Sequence, residues 1–182
     1  AMPDMVTFTP DGKYILTANE GEPNDDYSND PAGTVSIIDI SGGAGSLSQD
    51  NVKTVGFDSL DGQDLPAGAI GKPGAAPSVD FEPEYVAVSP DSKTAFVSIQ
   101  ENNAIAVIDI ANAGLVKVFG LGFKDYSKFG IDASDKDNKV NIKTHDKVFG
   151  IYQPDGVAAY AVGGKTYVVS ANEGDSREYD AY

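Results

Sequence analysis

The sequence contains no cysteine and no tryptophan, and it has a single histidine, His145. The absence of cysteine excludes disulfide scaffolds, thiolate metal sites and cysteine nucleophiles. One histidine cannot build a histidine-rich zinc site within these residues. Long apolar runs are also missing, since no stretch approaches the roughly 18 apolar residues that a membrane span requires. The start, AMPDMVTFTP, does not have the charged-then-apolar pattern of a signal peptide.

Basic residues are scarce. The 182 residues include 13 Lys and Arg against 28 Asp and Glu, which gives a net charge of -15. A surface this negative repels phosphates, so the composition argues against nucleic-acid binding and makes cations the natural partners. Hydrophobic residues make up 41% and charged residues 23% of the chain, which is typical of a globular protein and not of a disordered one.

Short runs of Val, Ile, Thr, Tyr and Phe lie between scattered glycines and prolines, a pattern that favours strands over helices. The sequence also contains internal repeats. Residues 5–20 align with residues 85–101, and each copy is followed by an apolar run that ends in Asp-Ile, at 34–40 and 104–110. A third copy begins at 156–173. Each copy therefore predicts an antiparallel meander with tight turns.

The repeat predicts an all-β fold, a β-propeller segment of the WD40 or YVTN type with about two and a half four-stranded antiparallel blades. We place the blades at 5–57, 84–119 and, incomplete, 155–182, with long connections at 58–83 and 120–154. A propeller needs at least four blades of about 40 to 50 residues. We therefore expect a segment of a longer protein, with an open sheet edge that the remainder of the propeller covers. The alternative is a closed β-sandwich of about ten strands.

Several long motifs carry a family resemblance: TFTPDGKYILTANEGEP, FEPEYVAVSPDSKTAFVSIQENNAIAVIDI, GIDASDKDNKVNI, YQPDGVAAY and SANEGDSREYD. With them the chain resembles the bacterial choice-of-anchor I proteins, which are related to the mesenchyme-specific cell-surface glycoprotein group. The resemblance implies a longer, exported β-propeller protein, secreted or at the cell surface, with a periplasmic location open, and sometimes labelled alkaline-phosphatase-like. Two departures are Ser92, where a turn glycine is usual, and Asn138, where glycine often follows DASDKD.

The loop at 20–30 holds five carboxylates and no basic residue. Calcium takes six to eight oxygen ligands from carboxylates, amides and backbone carbonyls, and this loop offers all three types. A second Asn-Glu-Gly at 172–174, again followed by an acid, could converge with the first near the propeller axis. The sequence therefore predicts a calcium site with these metal ligands: Glu20, Glu22, Asp25, Asp26, Glu173 and Asp175. The alternative is a solvated acidic loop whose polar residues only make turns.

A second set of residues is predicted to contact a ligand: Asn19, Asn172, Arg177, Glu84 and Asp155. Glu84 and Asp155, together with Asp4, open the innermost strand of each copy and are expected to ring the mouth of a central channel. Their alternative role is to bond neighbouring loop amides. Arg177 could clamp a phosphate or carboxylate, or pair with its adjacent acids.

The meander topology places the long connections and the acidic loops on one face, which is the usual arrangement for binding. We predict an exported surface module, with a binding or adhesion role, that holds calcium and an extracellular ligand or protein partner. The alternative is a metal-dependent phosphohydrolase or lactonase, in which Arg177 holds the anion and four acids ligate the metal: Glu20, Glu22, Glu173 and Asp175. A structural spacer is the third possibility. The scarcity of acid-base machinery favours a non-enzyme.

Overall fold

The chain folds into antiparallel β-sheets, and the computed structural model describes residues 2–175 and 177. The first sheet contains, in spatial order, β1 (Pro3–Phe8), β2 (Tyr14–Asn19), β3 (Thr34–Asp39) and β4 (Val52–Val55). The second sheet contains β5 (Pro83–Val88), β6 (Thr94–Ile99), β7 (Ala104–Asp109) and β8 (Gly114–Gly120). Two two-stranded sheets follow: a ribbon of β9 (Phe123–Asp125) and β10 (Phe149–Ile151), and a hairpin of β11 (Pro154–Val162) and β12 (Lys165–Asn172).

Helical structure in the described part of the chain is limited to short turns. One α-helical turn, α1, spans Pro77–Asp80, and 3-10 turns lie at Ala44–Ser46, Gln49–Asn51 and Asp58–Leu60. None of these helices is long and apolar enough to cross a membrane.

The prediction of an all-β fold is confirmed, and two copies of the repeat each form a four-stranded meander. The turn between β1 and β2 and the turn between β5 and β6 each contain a residue in the left-handed conformation. The backbone angle φ is 70° at Gly12 and 62° at Ser92, so serine adopts in the second copy the conformation that glycine takes in the first. A hydroxyl stabilises each turn: Thr9 Oγ1 donates to Asp11 at 2.7 Å, and Ser89 Oγ donates to Asp91 at 2.6 Å. The ribbon of β9 and β10 lies within the 120–154 connection, where no strand was predicted.

The sheets pack face to face. Between the first and second sheets lies a core in which Leu16, Val35, Val97 and Ile99 are fully buried. The second sheet packs its other face, through Ala87 and Ile105, against Val157 of the β11–β12 hairpin. Aliphatic side chains on both faces of β7 are therefore buried, as the run AIAVIDI predicts for a sheet between two neighbours.

The outer face of the first sheet is open. Val6 and Phe8 on β1 are each 62% exposed, whereas Val86, the counterpart of Val6 on β5, is 2% exposed because it packs against the first sheet. The repeat therefore presents on β1 the same apolar face that is covered on β5. An open face is what the fragment hypothesis expects, and the closure of a propeller stays a prediction.

Asn103, between β6 and β7, ties the long connections together. Its side chain is fully buried, and Nδ2 donates to the carbonyls of Gly68 and Gly122, both at 2.8 Å. Its Oδ1 accepts from the amides of Tyr152 and Gln153, both at 3.1 Å. These four bonds join the connections 58–83 and 120–154 at Asn103.

Replacing Asn103 should therefore loosen these connections. We expect Asn103→Gly, which tolerates the native φ of 53°, to lower the free energy of unfolding by at least about 3 kcal/mol, because buried backbone groups lose their partners. Urea unfolding measures the change. Asn112→Ala, which removes an exposed side chain bonded to Asp109, is the matched control and should stay within about 0.5 kcal/mol. Equal effects of the two variants would contradict this role.

Candidate cation site

An acid follows a proline at the start of the first strand of three sheets. The pairs are Pro3-Asp4 in β1, Pro83-Glu84 in β5 and Pro154-Asp155 in β11. In each case the pairing register slips directly after the proline, so that the acid lies in a β-bulge. Bulges re-aim side chains. In each of the three copies, the bulge therefore changes the direction of the acid's side chain in the same way.

The three acids lie close enough for their charges to interact. Burial raises the pKa of Asp4, and the charge of Asp155 raises it further. Asp4 in turn contributes to the raised pKa of Glu84. The charge of Asp4 thus interacts with those of Asp155 and Glu84, and the arrangement of the three residues around a channel mouth stays a prediction.

Two more carboxyl groups approach from the loops that follow β2 and β6. Burial, followed by repulsion from Glu22, Asp4 and Glu101, raises the pKa of Glu20 to about 7. Burial is also the main cause that raises the pKa of Glu101. We call the five groups the carboxylate cluster: Asp4, Glu20, Glu84, Glu101 and Asp155.

Glu84 and Glu101 form the centre of the carboxylate cluster. Burial raises the pKa of Glu84 well above its ordinary value, and the charges of Glu101 and Glu20 add to the shift. The interaction between the two carboxyl groups raises the pKa of Glu84 and opposes the rise in the pKa of Glu101. Oε2 of Glu101 is buried and has no hydrogen-bond partner among the described residues. The pair therefore carries acceptor capacity that the described part of the chain leaves unused.

Arg177 supplies a buried positive charge next to the carboxylate cluster. Its guanidinium lies 2.9 Å from Asp80 Oδ1 and 3.1 Å from Glu82 Oε1, and all three side chains are at most 5% exposed. Burial raises the pKa of Glu82 and the charge of Arg177 opposes this shift. Since a guanidinium lies 3.1 Å away, we treat the pair as ionised. Sequence reasoning missed these two partners of Arg177, which lie almost 100 positions earlier in the chain, and the pairing of Arg177 with its adjacent acids stays a prediction.

Asn102 completes the surroundings of Arg177. It is fully buried, its Nδ2 donates to Asp80 Oδ2 at 2.7 Å, and its Oδ1 accepts from Arg177 at 3.4 Å. The guanidinium is thus held by two carboxylates and an amide. These contacts are internal to the protein, and a ligand-contacting role for Arg177 stays a prediction.

The acidic loop at 20–30 is anchored at its base and at Tyr27, where Lys72 Nζ lies 3.0 Å from the centre of the ring. A side chain at Gly33 would meet the carbonyl of Phe81, so the base of the loop is pressed against the chain before β5. Glu22, Asp25 and Asp26 are exposed, and Asp26 Oδ1 accepts from the amide of Ser28 at 3.0 Å. Of these three predicted metal ligands, Glu22 is the one whose charge acts on the carboxylate cluster, through Glu20.

The remaining predicted residues lie in different surroundings. Asn19 is 4% exposed and donates to Thr34 and Ser36, which makes it part of the first sheet. Asn172 and Glu173 are exposed at the end of β12. Glu173 Oε2 accepts from Gln100 Nε2 at 3.1 Å, and the charge of Asp175 acts on Glu101.

The six predicted metal ligands do not form one group in this structure. Among residues 2–175 and 177, no three Asp, Glu or His side chains are arranged around a common point that could hold a metal ion. Calcium at the carboxylate cluster would therefore require rotation of the Glu side chains. The oxygen donors fit a hard cation, because burial and mutual repulsion already disfavour their ionisation without one.

Comparison with known proteins gives a family. The whole chain, residues 1–182, matches the choice-of-anchor I domain, and the chain belongs to that family. No curated protein matches it. Among solved structures it is similar to Kuenenia stuttgartiensis hydrazine synthase, with 17% sequence identity and a TM-score of 0.41. That alignment covers 92% of this chain and 46% of the other, so the chain spans less than half of that protein.

The raised pKa values predict a pH dependence of stability. Between the ordinary pKa of 4.5 and the raised folded-state values, the folded protein holds more protons than the unfolded chain. Stability is therefore greatest at low pH within this window, and the free energy of unfolding should fall as pH rises from about 5 to about 8. Urea unfolding in a calcium-free pH series measures the slope.

Glu84→Gln removes one titrating group and should flatten the slope. Asp26→Asn changes an exposed acid whose hydrogen bonds to Ser28 lower its pKa, and it should leave the slope unchanged. Stability that is constant or rises over this pH range in the unmodified chain would contradict the account.

Arg177→Leu leaves Asp80 and Glu82 buried without their cation. We expect it to lower the free energy of unfolding by about 3 to 5 kcal/mol. Arg177→Lys keeps the positive charge but lacks the planar guanidinium group, so it should lower the free energy of unfolding less than Arg177→Leu does. A loss below about 1 kcal/mol for Arg177→Leu, measured by urea unfolding, would show that the ion pairs contribute little.

Proposed function

We propose that this member of the choice-of-anchor I family is a β-propeller segment of an exported, cell-surface protein, which binds calcium at the carboxylate cluster and an extracellular ligand or partner nearby. The observation that carries the proposal is the interaction between the half-buried carboxyl groups of Glu84 and Glu101, together with a buried Glu101 Oε2 that has no hydrogen-bond partner among the described residues. The role is one of binding or adhesion.

Calcium suits the carboxylate cluster for electrostatic reasons. Burial raises the pKa of Glu84 to about 9 and that of Glu20 to about 7, so at neutral pH Glu84 keeps its proton and Glu20 is partly protonated. Burial also raises the pKa of Glu101. A bound divalent cation would supply the missing positive charge, so that protons leave as the metal enters. These three residues would hold the ion, with Asp4 and Asp155 as further oxygen donors.

The stacking of the sheets supports the propeller. The second sheet is covered on both faces by other copies of the repeat, and the carboxylate cluster gathers where three innermost strands begin. In a propeller the innermost strands surround the central channel, so the carboxylate cluster would lie at its mouth. The exposed Val6 and Phe8 on β1 would be covered by a further blade.

A binding module is favoured over the hydrolase alternative. That alternative assigns Arg177 to an anionic substrate, whereas its guanidinium bonds Asp80 and Glu82 in the interior. It also needs Glu173 as a metal ligand, and Glu173 bonds Gln100 instead.

Calcium should stabilise the chain. If the dissociation constant lies in the range of extracellular modules, about 10⁻⁴ to 10⁻³ M, about 10 mM calcium contributes about 1.4 to 2.7 kcal/mol. For a domain of this size that corresponds to a rise in Tm of about 3 to 10 °C. Thermal unfolding with calcium and with a chelator, followed by circular dichroism, measures the shift.

Two pairs of substitutions locate the ion. Glu84→Gln with Glu101→Gln should abolish the rise in Tm, while Asp25→Asn with Asp26→Asn should keep it. The opposite result would place the ion in the 20–30 loop and contradict the carboxylate cluster. No rise in Tm for the unmodified chain would contradict calcium binding altogether.

A further inference from the structure

A groove of about 350 Å³ lies between the β9–β10 ribbon and the end of β12. Its volume is at the lower end of the range for small-molecule sites. Six of the residues that line it matter here: Lys124, Tyr126, Gly150, Tyr152, Asn172 and Glu173. Neither the carboxylate cluster nor Arg177 takes part in it.

The aromatic wall depends on a glycine. A Cβ at Gly150 would lie 2.8 Å from the ring of Tyr126, so only glycine allows this ring to lie against β10. The backbone on each side of Tyr126 is fixed within the ribbon, because its amide donates to Val148 and its carbonyl accepts from His145. The ring is therefore held in place before a ligand arrives.

The opposite wall is fixed by the loop between β6 and β7. The amide of Tyr152 donates to Asn103 Oδ1, and the amide of Glu173 donates to the carbonyl of Gln153. Gln100 Nε2 also donates to Glu173 Oε2. A groove whose walls are already bonded loses little conformational entropy when it binds a ligand.

The chemistry of the lining defines the ligand. Lys124 and Glu173 carry opposite charges, so the lining of the groove favours a ligand without net charge. The amide of Asn172 and the two charged groups bond hydroxyls, while Tyr126 and Tyr152 supply rings whose electron-rich faces attract weakly positive C–H groups. A pyranose sugar combines dense hydroxyls with a C–H face.

We propose that this groove binds a neutral saccharide. The inference names a chemical class for the extracellular ligand and in that respect rests on the proposed function. It does not depend on calcium, because none of the residues that line the groove belongs to the carboxylate cluster.

The test uses the whole chain in the presence of a chelator. The probes are methyl glucoside, methyl galactoside, N-acetylglucosamine, cellobiose, maltose and lactose, with glucuronate as a charged comparison and glycerol as a simple polyol. Saturation-transfer NMR detects binding, and tyrosine fluorescence gives affinities because the chain has no tryptophan. We expect saturable binding of at least one neutral sugar, and none of glycerol.

Tyr126→Ala and Tyr152→Ala should each weaken that binding at least about tenfold. Gly150→Ala should also weaken it, since it displaces the Tyr126 ring and removes no lining group. Tyr160→Ala is the matched control, because Tyr160 stacks on Tyr167 in the β11–β12 hairpin and lies outside the groove. Circular dichroism and Tm establish that each variant is folded.

Three results would overturn the proposal: no neutral sugar binds, glucuronate alone binds, or Tyr160→Ala weakens binding as much as the groove variants. Because calcium is absent from this experiment, its failure leaves the calcium-induced rise in Tm unaffected. A failure of the calcium experiment likewise leaves saccharide binding in chelator intact.

Discussion

Buried carboxyl groups, more numerous than the cations that accompany them, are the constraint on which this account depends. Burying an ionised carboxylate is costly unless a cation or several hydrogen-bond donors accompany it. Asp80 and Glu82 meet this condition through Arg177. Burial raises the pKa of Glu84 and that of Glu101, so protonation lowers the cost of removing these carboxyl groups from water.

The repeat explains why the carboxyl groups converge. A proline followed by an acid, set in a β-bulge, recurs at the start of β1, β5 and β11. Face-to-face packing of the sheets then places the three strand starts side by side. Asn103 fixes the connections 58–83 and 120–154 through four hydrogen bonds, so it also holds the wall of the groove next to Tyr152.

Local features of the fold could be predicted from the sequence. The turns at Gly12 and Ser92 and the doubly buried strand β7 follow from residue types and short-range patterns. The strands β9 and β10 were missed because each has three residues and their pairing spans a long connection. A strand of three residues is too short to show the alternation of apolar and polar residues that identifies longer strands.

The candidate site was predicted less completely. The equivalent positions of Asp4, Glu84 and Asp155 could be inferred because a proline followed by an acid recurs in the sequence. The partners of Arg177 could not, because Asp80 and Glu82 are distant in sequence and their contact is set by how the sheets stack. Asn19 has a side chain of a type that often binds ligands, but its amide donates to Thr34 and Ser36 inside the first sheet. These bonds depend on the pairing register of β2 and β3, which the sequence does not reveal.

The exchange of protons for calcium at Glu84 and Glu101 is the central claim, and calorimetry tests it most directly. The chain is titrated with calcium near neutral pH in two buffers that differ in ionisation enthalpy. The account predicts that the apparent binding enthalpy differs between the buffers by an amount equivalent to about one proton released per calcium bound. Binding with identical enthalpies in both buffers, or no binding at all, would contradict it.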